Sequence, residues 1–99
     1  MELSQVRYFI TLCRTLNFTR AAEQCHVTQP AFTRAIQRLE EELGGALLFR
    51  ERGLTQLTAL GRDMRPHLEA MLDAAEAATA LAKLRRHSEP GRLKIGLGP

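Results

Sequence analysis

Leu3, Val6, Phe9, Ile10, Cys13 and Leu16 recur at intervals of three or four, with Ser4, Gln5, Arg7, Thr11 and Arg14 between them. That spacing predicts an amphipathic helix over residues 3–16. Asn17-Phe18 interrupts the stripe. A second, shorter helix is expected over residues 19–24, with the Thr19 hydroxyl as its N-cap. Ala21 and Ala22 keep that helix slim enough for a close neighbour. Cys25-His26-Val27 forms the connection to a third helix, over residues 28–43. Thr28 can cap it, and Pro30 falls in its first turn, where a missing N–H costs nothing. Its apolar stripe is Phe32, Ile36, Leu39 and Leu43, edged by Ala35. At about 100° per residue, the opposite side carries Pro30, Arg34, Gln37, Arg38 and Glu41, with Thr33 on its flank. Gly44-Gly45 ends the helix, because glycine accepts the left-handed conformation beyond a C-terminus.

Two short apolar runs follow, 46–50 and 55–58, separated by a turn at Arg52-Gly53. They predict a small hairpin. Two strands alone are marginal, so Leu47, Phe49 or Leu57 must pack on the helices. From Thr58, a plain N-cap candidate, a helical pattern runs to His87, where Lys83, Arg85, Arg86 and His87 suit the negative end of the helix dipole. Such a helix is about 45 Å long. Gly61, Met64, Leu68, Met71, Ala75, Ala78 and Ala82 follow a 3-4-3-4 spacing, the seam of a coiled coil, and Leu60, Leu72, Leu81 and Leu84 widen its apolar side. Pro66 removes one helix hydrogen bond and predicts a kink. Ser88, Pro90 and Gly91 stop the helix. Residues 91–98 alternate polar and apolar, like a first strand with no sheet to join, so the chain reads as the front part of a longer protein.

The expected fold class is therefore mainly α: a winged helix-turn-helix of three helices and a short two-stranded wing, followed by a long dimerisation helix. The divisions are 1–58 for the winged domain, with the helix-turn-helix at about 18–37, then 59–87 for the linker helix and 88–99 for a hinge leading to a further domain. A length of 99 residues suits one small domain plus an appendage. Tyr8, Phe9, Phe18, Phe32 and Phe49 are the only aromatic residues. The core is small and aliphatic, and association would stabilise it.

Charge changes little in this picture. The net charge is +3 overall, and residues 1–58 carry seven Arg against six Glu. Any basic footprint must come from placement, not excess. Cys13 and Cys25 fall on apolar positions and make neither a disulfide framework nor a zinc pattern. His26, His67 and His87 lack metal-ligand companions, so no metal and no cofactor is expected. No nucleophile–base pair or phosphate loop is visible, which argues against an enzyme. With no signal peptide and no long apolar run, the expected location is the cytoplasm, without membrane association.

Phe18-Thr19, Ala21-Ala22, Val27-Thr28-Gln29-Pro30-Ala31-Phe32-Thr33, Ile36, Leu39-Glu40 and Leu43-Gly44 stand in one ungapped order, followed by Leu47-Leu48-Phe49-Arg50 and Leu57-Thr58-Ala59-Leu60-Gly61. This set resembles the amino-terminal DNA-binding domain of LysR-type transcriptional regulators, over nearly the whole chain. Three positions depart from the family pattern: Cys25 for a usual Leu, Leu48 for a usual Phe, and Leu60 for a common Ala. The substitution at position 48 leaves the parity of the strand's inward face open.

The resemblance implies base contacts at the start of the third helix and wing arginines near the minor groove. Gln29 and Gln37 can pair with adenine edges, and Arg34 with guanine or phosphate. Pro30, Ala31 and the Thr33 methyl can meet thymine methyls. The hydroxyls of Thr19, Thr28 and Thr33 suit phosphates. Arg38 lies nearer phosphate or solvent, and Arg50 and Arg52 match the wing. Glu40 is read as a structural ion-pair partner. The resemblance also places a dimer interface on the long helix, at Leu60, Met64, Leu68, Met71, Leu72, Ala75, Ala78 and Ala82.

The function expected is sequence-specific binding of double-stranded, dyad-symmetric DNA by a homodimer that regulates transcription. The intact protein would be a dimer or a tetramer, with a small-molecule effector bound by a following domain. Two other readings fit the residues. One is a non-specific, nucleoid-type DNA-binding protein on the same fold. The other is a helical dimerisation module with no DNA role.

Overall fold

A computed structural model describes residues 1–88. The elements are α1 (Leu3–Thr15), α2 (Phe18–Gln24), α3 (Gln29–Leu43), β1 (Leu48–Glu51), β2 (Leu54–Leu57) and α4 (Ala59–Ser88). This is the expected order of three helices, a two-stranded wing and one long helix. The alternating tail over residues 91–98 lies outside the described residues.

α1 is the central helix. It begins with a capping box in which Gln5 Oε1 accepts from the Glu2 N–H at 3.1 Å. Val6, Phe9, Ile10 and Cys13 are buried as the stripe requires, and so are Leu12 and Gln5. α1 touches α2, α3 and α4, so its buried arc is wider than one amphipathic stripe. Leu3 and Leu16 are exposed, contrary to expectation, because they sit where the helix begins and where it has already ended. Leu16 adopts a left-handed conformation and closes α1 by donating to the Leu12 carbonyl at 2.7 Å. Burial pushes the Cys13 thiol up to about 11, with Glu69 adding to the shift and Arg65 and Arg14 opposing it. Cys13 is therefore a neutral core residue at physiological pH.

α2 starts one residue earlier than expected. Its cap is Asn17, whose Oδ1 accepts from the Arg20 N–H at 2.8 Å. Thr19 lies inside the helix. Asn is at least as good a cap as Thr, and the cap position went to the residue with extended backbone. Ala21 and Ala22 are buried, as the close approach of α1 and α3 demands. His26 makes the turn at φ 60°. Thr28 then caps α3, accepting from the Ala31 N–H at 3.3 Å. Phe32 is the hub: Tyr8 stacks on it at 5.2 Å and Phe18 meets it edge-on at 6.0 Å.

The wing pairs Leu48 with Leu57 and Glu51 with Leu54, antiparallel. Arg52 and Gly53 connect the strands with φ of 55° and 79°. Two successive left-handed residues make the tight hairpin turn whose twist matches the strands. The inward face is Leu48 and Thr55, with Leu47 buried at the strand's root, while Phe49 is 41% exposed. Leu47 and Leu57 therefore supply the wing's packing on the core, and Phe49 lines the groove beside α3. Leu47-Leu48-Phe49 has no alternation from which the parity could be read, and a shift of one residue exchanges the faces.

Among the described residues Glu40 has no ion-pair partner. Its Oε2 accepts from the Leu47 N–H at 2.7 Å and the Leu48 N–H at 3.4 Å, so α3 itself anchors the wing. The carboxylate satisfies backbone donors that no strand partner reaches. Glu40→Ala should cost about 1.5 kcal/mol, the worth of a charge-assisted hydrogen bond. Faster amide exchange at Leu47 and Leu48 should accompany the loss, and Glu40→Gln should recover part of it.

α4 opens on Thr58. Its Oγ1 accepts from the Gly61 N–H at 3.0 Å and donates to the Ala46 carbonyl at 2.6 Å. The helix is a single element with Pro66 inside it. It runs antiparallel to α1, held by Arg7–Glu76 at 2.9 Å and Arg14–Glu69 at 3.2 Å. Leu68 is 1% exposed and Leu72 5%, both in the core built by α1, α2 and α3. Leu60 and Met64 also pack against that core. These four residues serve the fold of their own chain, so the expected continuous dimer seam is divided. Its core half folds back onto α1. Met71 is 47% exposed, and Ala78 and Ala82 are exposed as well. The core thus extends past Thr58 as far as Leu72.

Candidate nucleic-acid interface

Three separate elements converge beside the N-terminus of α3. Thr19 comes from α2, Gln29 and Thr33 from α3, and Arg50, Gly53 and Thr55 from the wing; together they line one open cleft. A neighbouring groove between α3 and β1 adds Gln37 and Glu40 to Thr33 and Arg50. The cleft exists because Phe32 and Ile36 turn one side of α3 into the core while Glu40 pulls the wing up alongside it. Gln29, Thr33, Gln37 and Glu40 are then four successive positions on the wing-facing side of α3.

Pro30, Arg34 and Gln37 are exposed on the outward face of α3. Ala31 and Arg38 lie on the flank away from the wing. Thr28 spends its oxygen on the helix cap and remains exposed. Arg50 reaches across the hairpin and donates to the Gly53 carbonyl at 3.1 Å, which braces the turn. Arg52 projects from the turn itself and is exposed. The ion pairs among the described residues join Met1 to Glu42, Arg7 to Glu76 and Arg14 to Glu69. Arg34, Arg38, Arg50 and Arg52 stand outside them.

The structure therefore brings Thr19, Gln29, Thr33, Gln37 and Arg50 together. It spreads Pro30, Arg34 and Arg52 over the same exposed side and leaves Ala31 and Arg38 peripheral. Asn17 also lines the cleft and was not singled out from sequence. Its signal was present, as a cap-type residue just before a helix. The groups on offer are amides, hydroxyls and guanidiniums, which donate and accept hydrogen bonds without performing covalent chemistry. Among the described residues no cluster of His, Cys, Asp or Glu could hold a metal ion. No helix among them is long and apolar enough to cross a membrane.

Comparison with known proteins agrees with this geometry. The profile of the family described as "Bacterial regulatory helix-turn-helix protein, lysR family" matches residues 3–62. The transcriptional regulator IlvR of Caulobacter vibrioides is 39% identical over 95 residues, covering 96% of this chain and 32% of the relative. Among solved structures, full-length OxyR from Pseudomonas aeruginosa superposes with a TM-score of 0.80 at 34% identity, over 85% of this chain and 28% of that one. The CbnR DBD–DNA complex superposes with a TM-score of 0.77 at 34% identity, over 86% of this chain and 98% of that one. The chain spans about a third of the length of the curated relatives it matches. The profile match, the winged helix-turn-helix and its agreement with these structures lead to one assignment: the chain belongs to the lysR family of bacterial regulatory helix-turn-helix proteins.

Proposed function

We propose that this chain binds double-stranded DNA in a sequence-specific manner as a homodimer and thereby regulates transcription. The observation that carries the reading is the single cleft lined by Thr19, Gln29, Thr33 and Arg50 from three elements. An α-helix of about 10–12 Å diameter fits a major groove about 12 Å wide. With α3 in that groove, Gln29, Pro30, Thr33, Arg34 and Gln37 face base edges, and Ala31 lies at the margin of the contact. Thr19, Thr28 and Arg38 face phosphates, and Arg50 and Arg52 follow the wing toward the adjacent minor groove. The DNA complexes among this chain's structural neighbours support a DNA-binding role.

A single reading helix recognises too few base pairs for a genomic search. The exposed side of α4 supplies the second copy. Met71, Ala74, Ala78 and Leu81 keep a 3-4-3 spacing on it, all exposed. They replace Leu68 and Leu72 as the centre of the seam, beside Ala75 and Ala82. The proposed operator is dyad-symmetric, with half-sites about one helical turn apart. Effector binding and any tetramer belong to the longer protein of which relatives of this family are examples. A cytoplasmic, non-enzymatic regulator fits the same reading.

In vitro selection of bound DNA followed by footprinting tests this directly. A dyad sequence should emerge and survive excess random competitor. Gln29→Ala and Arg34→Ala should each weaken binding to it about tenfold, within the range for one base contact, with sedimentation unchanged. Equal affinity for every sequence would favour non-specific binding. Undiminished binding by both variants would refute the assigned reading face.

A further inference from the structure

Gln29 and Thr33 are coupled. They stand one turn apart on the wing-facing side of α3, and Gln29 Nε2 donates a hydrogen bond to Thr33 Oγ1 at 2.8 Å. Three threonines in other helices behave differently. Thr11, Thr15 and Thr79 each donate to the carbonyl one turn earlier, at 2.9, 3.2 and 3.0 Å. That is the usual local outlet for a threonine hydroxyl in a helix. Thr33 makes no such bond among the described residues, and its oxygen is committed to the glutamine side chain instead.

The two side chains differ in stiffness. Gln29 is exposed and has a long, freely rotating side chain, whose ordering opposes binding. Thr33 is half-buried and β-branched, with few accessible rotamers. The hydrogen bond therefore ties a mobile reader to a fixed post. The donor count also closes. A carboxamide has two N–H donors and one oxygen. Thr33 takes one donor. The remaining donor and the oxygen are the pair that a bidentate contact with adenine N7 and N6 requires.

We propose that Thr33 is a positioning residue that sets the base preference of Gln29, holding its carboxamide in the orientation that reads adenine in the major groove. This rests on the DNA-reading role proposed above. Thr33 Oγ1 acts here as the acceptor, and its part in reading is to hold Gln29. Gln29 and Thr33 thus work as one reading unit.

Thr33→Val keeps the side-chain shape and removes the hydroxyl; Thr33→Ser keeps the hydroxyl. The probe is the selected operator together with its single-base-pair variants at the position whose preference Gln29→Ala relaxes. With Thr33→Val, affinity for the preferred site should fall about fivefold to tenfold. Preference at that one base pair should flatten, while the other positions, the salt dependence and the melting temperature stay as in the parent. Thr33→Ser should restore the preference. In the Gln29→Ala background, Thr33→Val should have no further effect. The proposal is overturned if Thr33→Val weakens all sequences alike, the mark of a lost contact that carries no base preference. Additive effects of the two substitutions overturn it as well. A parent chain that selects no sequence at all refutes the DNA-reading role itself, and that result appears before any variant is compared.

Discussion

Leu68→Ala will lower the unfolding free energy by about 2–5 kcal/mol, the cost of emptying a filled leucine site in a close-packed core. Leu68 is 1% exposed and belongs to the same cluster as Phe9, Ile10 and Phe32. A domain of this size is stable by only about 5–15 kcal/mol, so the urea midpoint should fall by a large fraction. Met71 lies three residues further along α4 and is 47% exposed. Met71→Asp should leave the monomer's stability within about 0.5 kcal/mol, as for surface substitutions. It should instead shift sedimentation from dimer to monomer, because a carboxylate cannot be desolvated in an apolar seam without a partner. The two substitutions separate the two sides of one helix. An unchanged urea midpoint in Leu68→Ala would mean that α4 is not docked on α1. A persistent dimer in Met71→Asp would place the interface elsewhere.

Gly61→Ala will also destabilise the protein, although alanine is the better helix former by about 1 kcal/mol. Gly61 is buried in the first turn of α4. A Cβ at this position would overlap the Leu47 carbonyl oxygen and meet Leu57 Cδ2 at 3.3 Å. The carbonyl cannot yield easily. It accepts from the Thr58 N–H at 2.9 Å, and the Leu47 N–H is held by Glu40 at 2.7 Å. Relief requires α4 to move away from the wing's root, at an expected net cost of about 2 kcal/mol after the propensity gain. The movement would tilt the wing against α3, so operator affinity should fall with stability. Chemical denaturation measures the first effect and titration of the selected DNA the second. A rise in the urea midpoint, as propensity alone demands, would refute the close approach.

The same two regions separate what local sequence specifies from what distant contacts decide. The caps at Thr28 and Thr58, the turn at Arg52-Gly53 and the stop at Gly44 are local events, decided by a few adjacent residues, and they stand where local chemistry puts them. Phe32, Ile36 and Leu39 face inward because helical spacing leaves them no other common side. The reading face of α3 follows as the remainder. Thr19 and Asn17 were less separable, since either side chain can cap and only the backbone angles at position 17 decide.

Apolar spacing states that a side is buried but not against what. Leu68 with Leu72 and Met71 with Ala78 fit overlapping 3-4 patterns, and a seam toward another copy looks the same as one toward α1. The antiparallel docking of α4, held by Arg7–Glu76 and Arg14–Glu69, divides them. The parity of β1 was likewise undecided in Leu47-Leu48-Phe49, until Glu40 took the Leu47 N–H and turned Leu48 inward. Sequence by itself determined the order of elements, most helix ends, the packed side of α3 and the family. Tertiary structure decided which half of α4 belongs to the fold, which face of the wing is covered, and that Gln29 leans on Thr33. Those choices depend on contacts between residues far apart along the chain, or on side-chain rotamers, and neither is encoded in local periodicity.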